Sequence, residues 1–82
     1  MKTTRMAFAA AEPGIMVKVF ITGTMLEVYD NDTAFTLSCS EFLKHGMDLL
    51  YREGFSQKLP PRIESLMVLS VNSASREALN TN

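Results

Sequence analysis

The run from Ile15 to Thr22 constrains the fold most tightly, because it is β-branched and aromatic and it alternates. Val17, Val19 and Ile21 share one face and Met16, Lys18 and Phe20 the other. The pattern predicts a strand with apolar side chains on both faces, and the neighbouring segments supply its pairing. Gly23, between two threonines, predicts a tight hairpin into a second strand over Met25 to Tyr29. Asp30-Asn31-Asp32-Thr33 then offers side chains that bond their own backbone in turns, and Ala34 to Leu37 reads as the next strand. Upstream, Arg5 to Ala11 reads as a further strand joined through Pro13-Gly14, a pair suited to the central positions of a type II turn. Its alanines fit a helix equally well.

A capping box marks where the strands stop. Ser38 is followed three residues later by Glu41, so each side chain is placed to satisfy an orphan backbone N–H, and Gly54 is placed to end the helix in the left-handed conformation. Over the interval of about 39–53, Phe42, Leu43, Gly46, Met47, Leu49 and Leu50 fall within an arc of about 160°. Glu41, Lys44, His45, Asp48 and Arg52 fill the opposite side. This predicts one amphipathic helix, with Gly46 on its apolar face allowing close approach to the sheet.

After Gly54 the connection from Phe55 to Arg62 carries Pro60-Pro61, which stiffens it. The segment Ile63 to Val71 then reads as a further strand, about 63–71, with Ile63, Met67, Leu69 and Val71 on one face and Leu66 and Val68 on the other. Residues of about 73–82 read as a fraying tail, with Ser73 or Ser75 able to start a short helix. The expected fold class is therefore α+β: an antiparallel meander of three to four strands, one amphipathic helix, then a further strand, in one small domain spanning 1–82.

At 82 residues the chain buries only about 60–65% of its unfolded surface, so its stability is a small difference between large terms. The apolar share of 46% and charged share of 21% are those of a folding chain rather than a disordered one. A net charge of −1 and a pI near 5.7 exclude the strong basic field of a typical nucleic-acid binder and the dense acidity of a DNA mimic. Cys39 is the only cysteine and cannot form an intramolecular disulfide, which fits a reducing cytoplasm. The apolar stretch from Met6 to Ala11 is shorter than a signal-peptide core of about 7–15 residues or a membrane span of about 20, so no membrane partner is expected.

Chemistry is sparse. Asp30 and Glu41 have the end spacing of a calcium loop, but the sharp-turn position is Phe35 rather than glycine and Ala34 offers no side-chain oxygen. Cys39 and His45 are the only thiol and imidazole. A thiolate at a helix start has a lowered pKa, yet a cysteine closing a strand is more often a small buried hydrophobe. One cysteine and one histidine cannot close a structural zinc site, and no glycine-rich phosphate loop is present. No catalytic, cofactor-binding or metal residue is assigned. The one local concentration of basic and aromatic residues, Tyr51, Arg52, Phe55, Lys58 and Arg62, is the candidate partner-binding set.

A sheet of four or five strands is roughly 20 Å wide, whereas one helix with its side chains covers about 10–12 Å. Apolar residues on two sheet faces with a single helix to cover them predict a partner, as a homodimer or a hetero-complex, unless the N-terminal segment and the tail fold back as cover. The expected function is that of a small, non-catalytic, cytoplasmic regulator or inhibitor that occupies a surface of another protein. Small proteins of mobile elements that block a host defence complex are one such class. The alternative is a dimeric regulator that binds nucleic acid.

Overall fold

In the computed structural model, which describes residues 2–80, three two-residue hairpins lay four strands side by side as an antiparallel meander. The strands are β1 (Thr4–Glu12), β2 (Ile15–Thr22), β3 (Met25–Asp30) and β4 (Thr33–Ser38), and their sheet order is their chain order. The hairpins close on Pro13-Gly14, Gly23-Thr24 and Asn31-Asp32, with Glu12 opposite Ile15, Thr22 opposite Met25 and Asp30 opposite Thr33. The alanine-rich segment near the N-terminus is thus strand rather than helix, because β2 offers it an edge to pair with.

Alternation along the strands sorts the sheet into two unlike faces. Val17, Val19 and Ile21 of β2 and Leu26 and Val28 of β3 are fully buried, and they meet Phe42, Leu50, Met67 and Val71 from the helices in one apolar cluster. In β1 the register shifts between Met6 and Phe8, a bulge at Ala7. Strict alternation would put Met6 and Phe8 on the same face. With the bulge, Phe8 and Ala10 turn to the core opposite Val19 and Val17, while Met6 stands opposite Phe20 on the other side.

The predicted helix of about 39–53 forms as two: α1 (Cys39–His45) and α2 (Met47–Glu53). Ser38 caps α1, its Oγ accepting from the Glu41 N–H at 3.1 Å, and Gly54 ends α2 in the left-handed conformation at φ +111°. Between them Gly46 adopts φ +65°, ψ −148°, a backbone state that side-chain-bearing residues avoid. A Cβ added there would meet nothing within 4 Å, so the glycine serves to break the helix rather than to bring it close to the sheet. The predicted apolar face survives the break, since Phe42 of α1 and Met47 and Leu50 of α2 are all buried.

The predicted strand of about 63–71 is instead part of α3 (Pro61–Asn80), which also takes in the residues expected to fray from 73; Thr81 and Asn82 lie outside the described residues. Pro61 begins the helix, where its missing N–H costs nothing, and the Pro60 carbonyl accepts from the N–H groups of Ile63 and Glu64. Ile63, Met67 and Val71, spaced by four, are buried along one stripe. Three helices therefore roof one face of the sheet, α3 toward β1 and α1 toward β4. Among the described residues no helix packs on the other face.

Candidate interaction surface

The uncovered face of the sheet is built by the residues that alternate away from the core. They bring together Met6, Met16 and Met25, which are 55%, 50% and 40% exposed, and the rings of Phe20 and Tyr29. Phe20 lies diagonally across from Tyr29 on neighbouring strands, and their rings meet edge to face with centroids 5.9 Å apart. The Tyr29 hydroxyl donates to Glu27 Oε1 at 2.6 Å. That hydrogen bond, followed by partial desolvation and the charge of the same carboxylate, raises the phenol pKa above its ordinary value. Thr4 and Thr22 join by a hydroxyl hydrogen bond of 2.6 Å at the end of the face. Among the outward residues of the described strands, Lys18 and Glu27 alone are charged, so the face is apolar and close to neutral.

In and before the connection after α2, where the sequence places its candidate partner-binding residues, the two aromatic members are drawn into packing. Phe55 is buried at 4% exposure and its ring packs against Tyr51 and Phe35, at centroid distances of 5.9 and 6.3 Å. The Tyr51 hydroxyl donates to Glu64 Oε2 at 2.5 Å, tying α2 to α3; burial first, then this bond, raises its pKa. The two aromatics are thus packing groups, and Phe55 has no free surface to offer. Arg52, Lys58 and Arg62 remain exposed, with Arg62 Nη2 lying 3.2 Å from Glu12 Oε1.

The same connection holds the one buried charge among the described residues. Asp30, 5% exposed at the end of β3, accepts from the Ser56 N–H at 2.8 Å, the Ser56 hydroxyl at 3.0 Å and Gln57 Nε2 at 2.6 Å. Burial alone would raise its pKa, but the hydrogen bonds from Ser56 and Gln57 outweigh burial and hold the carboxyl below its ordinary value. The sequence offers Asp30 only as a turn residue. Its donors lie 26 and 27 residues further along the chain, beyond the reach of any local pattern.

Cys39 is buried, and burial pushes its thiol pKa upward despite a hydrogen bond with Ser75, the reverse of what a nucleophilic thiolate requires. His45 lies on the exposed side of α1 with Nε2 3.4 Å from Glu41 Oε2. The structure therefore does not present Cys39 and His45 as a pair aimed at one point. Among the described residues no group of three histidine, cysteine or acidic side chains is placed to hold a metal ion, and no helix is long and apolar enough to cross a membrane.

A concavity of about 730 Å³ opens between α1–α2 and α3. Leu43, Met47, Val68 and Leu69 form its apolar lining, and Asp48 and Glu64 its acidic rim. It is a wide groove rather than an enclosed pocket, and Glu64 is already engaged by Tyr51. The exposed methionines of the sheet were absent from the sequence-based candidate set. The signal that finds them is the alternation in β2, which places Met16 and Phe20 together, extended to β1 and β3 through pairings that only the register supplies. Comparison with protein-family models, with curated proteins and with solved structures gave no match.

Proposed function

We propose that the chain acts by binding: it is a small, non-catalytic regulator or inhibitor of the cytoplasm that occupies a surface of a partner protein. A protein of a mobile element that disables a host defence complex is a class of this size and kind. The observation that carries the reading is the bare face of the sheet, where three methionines at 40–55% exposure surround the Phe20–Tyr29 pair. Scattered single apolar residues are ordinary on a protein surface, but a contiguous patch on one face of a sheet marks an interaction site. Methionine suits the task, being flexible and polarizable enough to pack against surfaces of varied shape.

The chemistry of the face also selects the class of partner. Lys18 is the one cation among the outward residues of the described strands, and Glu27 sets a carboxylate beside the Tyr29 ring. Stacking on nucleic acid works together with cations that follow the phosphates, and this face lacks them. Apolar contact with another protein is the better match, which ranks the nucleic-acid regulator second.

The test compares capture from cell extract by the wild-type chain with capture by Met6→Lys and Met16→Glu. Both positions are exposed, so each change is expected to alter stability by no more than about 0.5 kcal/mol. The expected result is a discrete protein partner that survives nuclease treatment and is lost with either variant. Capture abolished by nuclease, or undiminished in both variants, overturns the reading.

A further inference from the structure

The two edges of the sheet are guarded very unequally. Edge strand β1 carries a bulge at Ala7, and its charged residues are held by α3: Arg5 lies 3.6 Å from Glu77 and Glu12 lies 3.2 Å from Arg62. Bulges and charges are the usual means by which a strand edge is kept from pairing with another chain. Edge strand β4, Thr-Ala-Phe-Thr-Leu-Ser, contains no charge, no proline and no bulge. Among the described residues, no backbone hydrogen bond from outside the sheet reaches Ala34 or Thr36.

The hairpin fixes which groups of β4 point outward. A two-residue loop closes on a hydrogen-bonded pair, here Asp30 with Thr33, and such pairs alternate along an antiparallel ladder. Thr33, Phe35 and Leu37 therefore bond to β3, while Ala34 and Thr36 turn their N–H and C=O groups away from the sheet. We propose that β4 is a self-pairing edge, through which two copies of this chain join antiparallel about a two-fold axis between their Phe35 residues to make a continuous eight-stranded sheet.

The register follows from the alternation. Ala34 of each copy pairs with Thr36 of the other, and each of these two pairs exchanges two backbone hydrogen bonds. Phe35 then stands directly opposite Phe35 as a non-hydrogen-bonded pair, the arrangement in which facing side chains come closest. Phe35 is half-buried, with its ring at the margin of the core against Phe55, so pairing covers a ring that one copy leaves partly wet. Ala34 and Thr36 are small and uncharged, so no repulsion opposes the contact. A six-residue edge buries less than the roughly 1,200 Å² of a stable interface, so the dimer is weak and concentration-dependent. This pairing stands apart from capture of a partner on the bare face, and either can fail alone.

Analytical ultracentrifugation of the full chain at about 10 to 500 µM tests it. The expected result is a weight-average mass that climbs from the monomer's 9.1 kDa toward twice that value, with amide exchange at Ala34 and Thr36 slowing as concentration rises. Thr36→Pro removes an outward donor without touching the β3 ladder, and Ala34→Lys places a charge on the edge. Each is expected to weaken association at least tenfold, and Ala34→Lys keeps the test alive if the proline variant does not fold. Met6→Lys, on the bare face, is expected to leave association unchanged. A wild-type chain that stays monomeric throughout, a dimer that survives Ala34→Lys, or a dimer lost with Met6→Lys but not with Ala34→Lys overturns the proposal.

Discussion

The side-chain amide of Gln57 pairs with both backbone groups of Met16, 41 residues away: Oε1 accepts from the N–H at 2.9 Å and Nε2 donates to the C=O at 2.8 Å. A side chain thus stands in for a neighbouring strand at the start of β2, and it fastens the α2–α3 connection to the end of the sheet. The same Nε2 reaches Asp30 at 2.6 Å. Gln57→Ala removes the side-chain acceptor of the Met16 N–H and one of the three donors to the buried Asp30 carboxylate, while the Met16 C=O keeps the Asn31 N–H at 3.1 Å. It is expected to cost about 2 kcal/mol in urea unfolding, where an exposed polar substitution would cost a few tenths.

Asp30 gives the fold a specific acid sensitivity. Burial would raise its carboxyl pKa, but the hydrogen bonds from Ser56 and Gln57 outweigh it and hold the group below the ordinary aspartate value of 3.8. The folded state therefore holds the proton more weakly than the unfolded state. The stabilisation is complete above the unfolded value and is lost as pH falls through the lower folded value. Asp30→Asn is expected to lower stability at pH 7 and to flatten the decline of the thermal midpoint below about pH 4. An acid limb unchanged in the variant would mean that other carboxylates set it.

Gly46→Ala separates a helix break from a helix interior by sign. In a continuous helix, alanine in place of glycine would stabilise by about 1 kcal/mol. At φ +65°, ψ −148° the same change forces a Cβ into a forbidden region and is expected to destabilise by roughly 2 kcal/mol. For a chain this size that is a drop of roughly 10 °C in the thermal midpoint, readable by circular dichroism.

The sheet was legible because its signals are local. Alternation in β2, the turn residues of the hairpins and the Ser38 cap each act within a few positions, and each element formed where they pointed. The helix break at Gly46 was not, since a glycine centred on an apolar arc looks the same whether it bends the chain or lets it pack closely. The misreading of α3 has a sharper cause. Ile63, Met67 and Val71 recur every four residues, a spacing that is even, and so fits one face of a strand, and is also close to a helical turn of 3.6. Ser65, which a strand would have aimed at the core between Ile63 and Met67, was the residue that told the two apart; it lies exposed. The bare face was legible only by half. Met16 and Phe20 could be placed on it from their own strand, but Met6 joins them through the bulge and Met25 through the register, and neither leaves a mark in the sequence.

The meander also keeps the pairing of the sheet local in the chain. Every strand pairs with its immediate predecessor through a two-residue turn, so the sheet asks for no contact beyond residue 38 and can zip as the chain emerges. Its roof comes last, because α3 begins at Pro61. Bare of that roof, Val17, Val19 and Ile21 would stand wet on one side and the methionines on the other. The sheet by itself thus has two sticky faces, of which the helices conceal one.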